Sequence, residues 1–199
     1  MTPRTIHVMS LLLCGGLLQG CAGHQVSLTE QAPATLATEP AGYEEAVVTR
    51  VVDGDTIVAR ITARIEGPGA GSAPVGAEVR VRLIGIDTPE SVKPNSPVEC
   101  FGKEASAALK ALVEGGEVKL VRDIEESDRY DRLLRYVYLG EEMANARMVA
   151  NGYSSAYTYP PSVRHSSLFV ELEREAREND RGLWGRETCD GQALTLETD

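Results

Sequence analysis

Three short stretches gather residue types that could hydrolyse a phosphodiester: Asp53-Gly54-Asp55-Thr56, Arg82-Leu83-Ile84-Gly85-Ile86-Asp87-Thr88-Pro89-Glu90, and Asp128-Arg129-Tyr130-Asp131-Arg132. A hard divalent cation prefers carboxylate and carbonyl oxygens, and Asp55, Asp87 and the main chain at Thr88 offer them. During attack, negative charge grows on the equatorial phosphate oxygens. The guanidiniums of Arg82 and Arg132 suit that charge in shape and sign. Water is a poor nucleophile at neutral pH, and Glu90, outside the inner metal shell, can take its proton. With three oxygen donors and no nitrogen ligand, the set fits a hard ion rather than a transition metal.

Other residues of the same stretches read two ways. Asp53 opens an Asp-Gly turn, a structural position first and a ligand second. Asp128 is either metal-side or a structural loop acid, and the structural reading is kept. Arg129 is a candidate contact for a terminal phosphate, and for Arg82 phosphate binding is set against a surface ion pair. Tyr130, Tyr157 and Tyr159 either stack on a base or bond a phosphate, or else fill partial core. Trp184 reads as packing and His165 as a surface helix residue.

The elements that must position these residues follow from periodicity. Val47–Val52 and Thr56–Ile61 are β-branched runs on either side of Asp53-Gly54, a hairpin that starts the second strand at Asp55. Residues 66–77 are rich in Gly, Pro and Ala and read as an enlarged loop. Val79, Val81 and Leu83 alternate with Arg80 and Arg82, so Arg82 faces away from the apolar set. That strand is expected to run on to Ile86. Ala105, Ala108, Leu109 and Leu112 recur at helical spacing until Gly115-Gly116. Val118–Val121 and Leu133–Leu139 read as strands, residues 145–151 as a short helix, and Leu168, Leu172 and Ala176 as a longer one. Five strands with about three helices give an antiparallel barrel of the α+β class.

These motifs resemble the staphylococcal nuclease, or thermonuclease, family: the D-G-D-T turn, the R-L-x-x-I-D-T-P-E strand end and the later Y-x-R. The likeness spans Tyr43 to Trp184 and includes Glu99-Cys100-Phe101-Gly102-Lys103-Glu104, Asn151-Gly152-Tyr153 and Gly182-Leu183-Trp184. The resemblance implies an OB-fold barrel and a calcium-dependent endonuclease that cuts DNA and RNA, leaving 3′-phosphates and 5′-hydroxyls. It implies Asp55, Asp87 and Thr88 at the calcium, and Arg82, Glu90 and Arg132 as the catalytic set. Arg129, Tyr130, Tyr157 and Tyr159 then fall on the substrate side. Asp131 stands where the family carries glycine. A carboxylate there either pairs with Arg132 and weakens the clamp, or points across the strand and is harmless. The rival reading is a non-catalytic OB-fold module of the cell envelope that binds nucleic acid or protein.

The chain's ends read as an address. Arg4 and His7 precede an apolar run that closes on Leu18-Gln19-Gly20-Cys21, which resembles the lipobox of bacterial lipoproteins. Residues 1–20 are then a lipoprotein signal peptide, Cys21 the lipidated residue, and 21–42 a flexible tether of Ala, Thr, Gln, Glu and Pro. Residues 43–190 form one domain, and 191–199 a disordered tail. Localisation is expected at the cell envelope, on the outer membrane where there are two. Cys14 leaves with the signal, so Cys100 and Cys189 remain in an oxidising compartment as one disulfide or two thiols. A bridge would close a loop of about 90 residues, worth roughly 4 kcal/mol by chain entropy. The chain carries 20 Lys and Arg against 30 Asp and Glu, a net charge of −10. That balance excludes a broad basic nucleic-acid surface and makes attraction local, through a few arginines and the cation. A monomer is expected.

Overall fold

The computed structural model describes residues 38–91 and 99–189. Within them, in chain order, lie β1 (Tyr43–Asp53), β2 (Thr56–Ile65), β3 (Glu78–Leu83), β4 (Ile86–Asp87), α1 (Gly102–Val113), β5 (Glu117–Val121), β6 (Leu133–Leu139), β7 (Glu142–Met143), α2 (Ala144–Ala150), β8 (Ser155–Ala156) and α3 (Ser166–Glu178). A single turn of 3-10 helix, Gly182–Trp184, follows. Strand β1 pairs antiparallel with β2 and β5, β2 with β3, and β5 with β6. Parallel pairing of β3 with β6, Val81 opposite Leu133, closes the barrel. This is a five-stranded closed barrel with three helices, an α+β fold of the OB type.

Alternation along the strands fills the barrel. Val81 and Leu83 point inward while Arg82 takes the other face. Ile57, Ile61, Leu120 and Val137 join them, and the core continues through Leu109 of α1, Met148 of α2 and Phe169 of α3. Each such side chain contributes about 1.5–3 kcal/mol on burial.

The third strand ends earlier than expected. It stops at Leu83, and Ile84-Gly85 turn the chain before Ile86–Asp87 pair with Ser155–Ala156 in a separate ribbon. Gly85 has φ +80, and a Cβ there would lie 2.3 Å from the Phe169 ring. Only glycine fits both the backbone and the space. The consequence is functional, because this turn swings Asp87 off the barrel wall.

The stretch 66–77 is a fixed loop. Arg135, wholly buried, holds Glu44, also wholly buried, through Nε at 2.7 Å and Nη2 at 3.2 Å, and bonds Glu126 as well. Glu44 accepts the Ala73 amide at 3.1 Å, and Glu126 accepts that of Ser72 at the same distance.

The folded region also begins before Tyr43. Residues 38–42, counted in the tether, are docked: Glu39 bonds Tyr138, Arg164 and His165 and is nearly inaccessible. His165 is therefore not a surface helix residue. It occupies the position just before α3, with its ring edge-on to Tyr136, centroids 4.6 Å apart.

Cys100 and Cys189 form a disulfide with Cα atoms 6.0 Å apart. They belong to a small second core with Ala176, Leu183, Trp184 and Phe101. Trp184 packs there, with the Arg177 guanidinium 3.5 Å over its ring. The segments expected to be a signal peptide (1–20), a lipidated Cys21, a tether (up to residue 37) and a tail (191–199) lie outside the described residues. Among the described residues no helix is long and apolar enough to cross a membrane.

Candidate active site

The turn between β1 and β2 is the first wall of the site. The Asp53 carboxylate accepts the Asp55 amide at 3.2 Å, which shapes the turn. Asp55 is buried, and its Oδ2 accepts both the amide (3.1 Å) and the hydroxyl (3.2 Å) of Thr88. Gly54 permits this approach, since a Cβ would lie 2.8 Å from the Thr88 side chain.

Arg82 reaches the same place from β3. Its Nη1 donates to the carbonyls of Leu83 (3.0 Å) and Ile86 (2.8 Å), which fixes the guanidinium plane. Its Nη2 bridges two carboxylates, Asp55 Oδ2 at 3.0 Å and Asp87 Oδ1 at 2.8 Å. The turn at Gly85 is what brings Asp87 back to within reach of the arginine five residues earlier.

Arg132 forms the opposite wall. Its Nε and Nη2 both meet Asp128 Oδ2 at 2.7 Å, and Nη1 reaches Thr56 Oγ1 at 3.4 Å. Asp128 Oδ1 also accepts the amides of Tyr130 and Arg132, so one carboxylate holds the whole turn. Hydrogen bonds with Arg132 and Tyr130 outweigh burial and hold its pKa below the usual carboxylate range. Asp131 is exposed at φ +59, the left-handed region that suits glycine and tolerates aspartate. The pairing of Asp131 with Arg132 does not occur, because the left-handed turn gives the arginine to Asp128 instead.

Together Asp53, Asp55, Arg82, Asp87, Thr88, Pro89, Glu90 and Arg132 line one cavity of about 170 Å³. Four carboxylates face two guanidiniums there. Burial first, then the charges of Asp55, Glu99 and Glu90, push the Asp87 pKa up despite Arg82. Burial and the Asp55 charge raise that of Asp53 to about 6. Such crowding is what a cation relieves. The donors are all oxygens, so Asp55, Asp87 and the Thr88 carbonyl are the residues that would hold a hard divalent ion. Among the described residues no three acidic, histidine or cysteine side chains form a ready-made metal cage.

A wider cleft of about 500 Å³ adjoins the cavity, with Arg82, Asp87 and Arg132 shared and Arg129, Tyr130, Tyr157 and Tyr159 along it. Tyr157 and Tyr159 lie parallel with centroids 6.3 Å apart. Both are exposed, as is Tyr130, so none of the three is core. Arg129 and Arg132 flank the Tyr130 ring at 4.7 and 5.5 Å, and Arg129 donates to its hydroxyl at 2.7 Å.

Two contributors escaped the sequence reading. Thr56 donates to Asp55 at 2.9 Å and receives Arg132. Glu99 accepts the Glu90 amide at 2.9 Å, while its own amide donates to the Glu90 carbonyl at 2.9 Å. Aspartate four residues before Arg132 was a legible signal for its partner; nothing in the spacing of Glu90 and Glu99 marked theirs.

A closed OB-type barrel with carboxylates and paired arginines at one end defines a class, and comparison with known proteins places the chain within it. Residues 80–186 match the family model described as staphylococcal nuclease homologue. The chain is 40% identical over 143 residues to the thermonuclease of Staphylococcus intermedius, covering 72% of this chain and 77% of that protein. It is 36% identical over 137 residues to the thermonuclease of Staphylococcus hyicus, covering 69% and 73%. It is 33% identical over 139 residues to the SPbeta prophage-derived endonuclease YokF of Bacillus subtilis, covering 69% of this chain and 43% of that one. The chain belongs to the staphylococcal nuclease family.

Proposed function

We propose that this protein is a calcium-dependent endonuclease that hydrolyses phosphodiester bonds of DNA and RNA to 3′-phosphate and 5′-hydroxyl ends, exported and lipid-anchored through Cys21. The observation that carries the reading is the convergence of three distant stretches on one acidic cavity with Arg82 and Arg132 on its walls. The names of the relatives, thermonuclease and endonuclease, agree with it.

Asp55 and Asp87, with the carbonyl at Thr88, would hold the ion. Calcium bound there supplies charge that offsets the negative phosphate oxygens. Glu90 takes the proton of the attacking water. Arg82 exchanges its carboxylate contacts for the equatorial oxygens of the phosphate, and its two carbonyl partners keep the fork aimed meanwhile. Arg132 grips the phosphate from the other side and assists departure of the 5′ oxygen. Tyr157 and Tyr159 offer flat faces for a base, and Arg129 and Tyr130 polar groups for the next phosphate.

The test is incubation of the protein with DNA and with RNA, in calcium and in chelator. Cleavage in calcium and none in chelator is expected; full cleavage in chelator overturns the metal reading, and binding without cleavage in calcium favours a binding module. Cys21→Ser should release the protein from membranes or leave it unprocessed.

A further inference from the structure

We propose that Glu99 is a positioning residue for Glu90 and that the Cys100–Cys189 disulfide holds Glu99 in place, so that the redox state of the bridge sets turnover. The inference rests on the reading of Glu90 as the base.

The geometry is a clasp. Glu99 accepts the Glu90 amide through Oε2 and returns its own amide to the Glu90 carbonyl, both at 2.9 Å. The two residues are nine apart in sequence, so these bonds fix the backbone of Glu90 from a remote point. Gly102 lies close against the same carbonyl: a Cβ there would lie 2.6 Å from the Glu90 carbonyl oxygen. Both ends of the segment 99–102 thus lie against the Glu90 backbone.

What holds that segment is the bridge. Cys100 follows Glu99 directly and is tied to Cys189, which is buried in the second core beside Leu183 and Trp184. That end is itself braced: the Thr188 hydroxyl lies 2.7 Å from the carbonyls of Gly182 and Gly185. Next along, Phe101 sits at φ +70 with its ring stacked on Tyr153, centroids 5.7 Å apart. A bulky residue in the left-handed region persists only where its surroundings force it. The bridge on one side, the ring stack on the other and the Gly102 amide donating to the Glu99 carbonyl at 3.0 Å across the turn together hold it there. Once the bridge opens, Phe101 can relax towards negative φ, and the rotation is passed to Glu99 and through it to Glu90.

Reduction by a dithiol delivers two electrons and two protons. The S–S bond breaks, Cys100 and Cys189 become thiols, and the dithiol closes to its own disulfide. No group of the cavity itself is altered, so calcium and substrate still bind while the base is misplaced.

The experiment measures calcium-dependent cleavage of a short oligonucleotide by the full-length chain at a temperature well below unfolding. Because small misplacements of a catalytic group are costly, kcat should fall about tenfold or more for Glu99→Ala, for Cys100→Ser/Cys189→Ser and for the dithiol-reduced protein. KM should stay near wild type in all three, and the calcium requirement should stay near wild type in the bridge-free and reduced proteins, where the Glu99 charge beside Asp87 is kept. Glu99→Gln, which keeps the acceptor oxygen, should recover most of the rate. Adding Glu99→Ala to the bridge-free protein should lower the rate little further, since both changes break one linkage. Should the bridge-free variant not fold, Glu99→Ala with the bridge intact decides the clasp, and brief reduction of folded wild type decides the brace. Wild-type kcat in Glu99→Ala, or in folded reduced protein, while Glu90→Gln is inactive, overturns the proposal alone. Full turnover by Glu90→Gln overturns the base assignment, and the proposal with it.

Discussion

Replacing Glu90 by glutamine removes a proton acceptor and leaves the size of the side chain unchanged. Turnover should fall by about 10²–10⁴-fold with calcium binding intact. Asp55→Ala should instead raise the calcium needed for activity, because Asp55 is both a ligand candidate and the anchor of Thr88. Arg82→Lys should not restore function: one ammonium cannot span two carbonyls and two carboxylates as the fork does. A calcium titration of the rate for each variant separates these roles. Asp53 gives a pH signature. Its pKa, raised to about 6 from 3.8, means the folded state favours the protonated acid. The stability this provides is full below about pH 4 and lost as pH rises through 6. Asp53→Asn keeps the acceptor for the Asp55 amide, so in chelator it should raise the melting temperature at pH 7.5 and change nothing at pH 4. Asp131 is the opposite case. Because Arg132 belongs to Asp128, Asp131→Gly should leave kcat within about twofold across salt concentrations, with a stability change under about 1 kcal/mol.

At the scale of elements, much of the site was legible. The Asp-Gly hairpin placed Asp55, alternation turned Arg82 outward, and helical spacing gave α1 with its stop at Gly115. The strand end was not legible, because Ile84-Gly85-Ile86 reads as continuing β pattern and only the Phe169 ring demands the turn. The Glu44–Arg135 pair was missed for a different reason: charged residues in alternating strands are read as solvent-facing, and burial of both partners is a tertiary event. Glu39 was hidden by composition, since Ala, Thr and Pro around it carry no period. The Cys100–Cys189 bridge joins the start of α1 to the turn after α3. If it merely shortened the unfolded chain, its removal would lower stability by roughly 4 kcal/mol and spare the rate. Its place beside Glu99 is why kcat is the better readout.

For the molecule as a whole, an acidic protein must hold an acidic polymer with few contacts. Arg174 and Arg177 on α3 are paired with Glu171, Glu178 and Glu173, and Arg64 with Glu66, so they add no basic face. Three phosphate contacts, through Arg82, Arg132 and Arg129, predict a log–log salt slope of about −2 to −3 for binding. A much steeper slope, measured by titrating oligonucleotide at fixed calcium, would require further cations. The loop at 66–77 sets where foreign sequence can be spliced in. A Cβ on Gly71 would lie 1.8 Å from Arg135 Nη2 and 2.4 Å from Glu44 Oε1. Evicting either partner strands a charge in the interior, at about 3–5 kcal/mol. Val75 is 61% exposed and Gly76 has open space around it, only a few residues further on. An epitope tag inserted between Val75 and Gly76 interrupts only the short turn closed by the Ala77 amide on the Pro74 carbonyl, and should leave a folded, active protein, whereas the same tag at Gly71 should abolish soluble expression. What reads as a long permissive loop is permissive only at its tip.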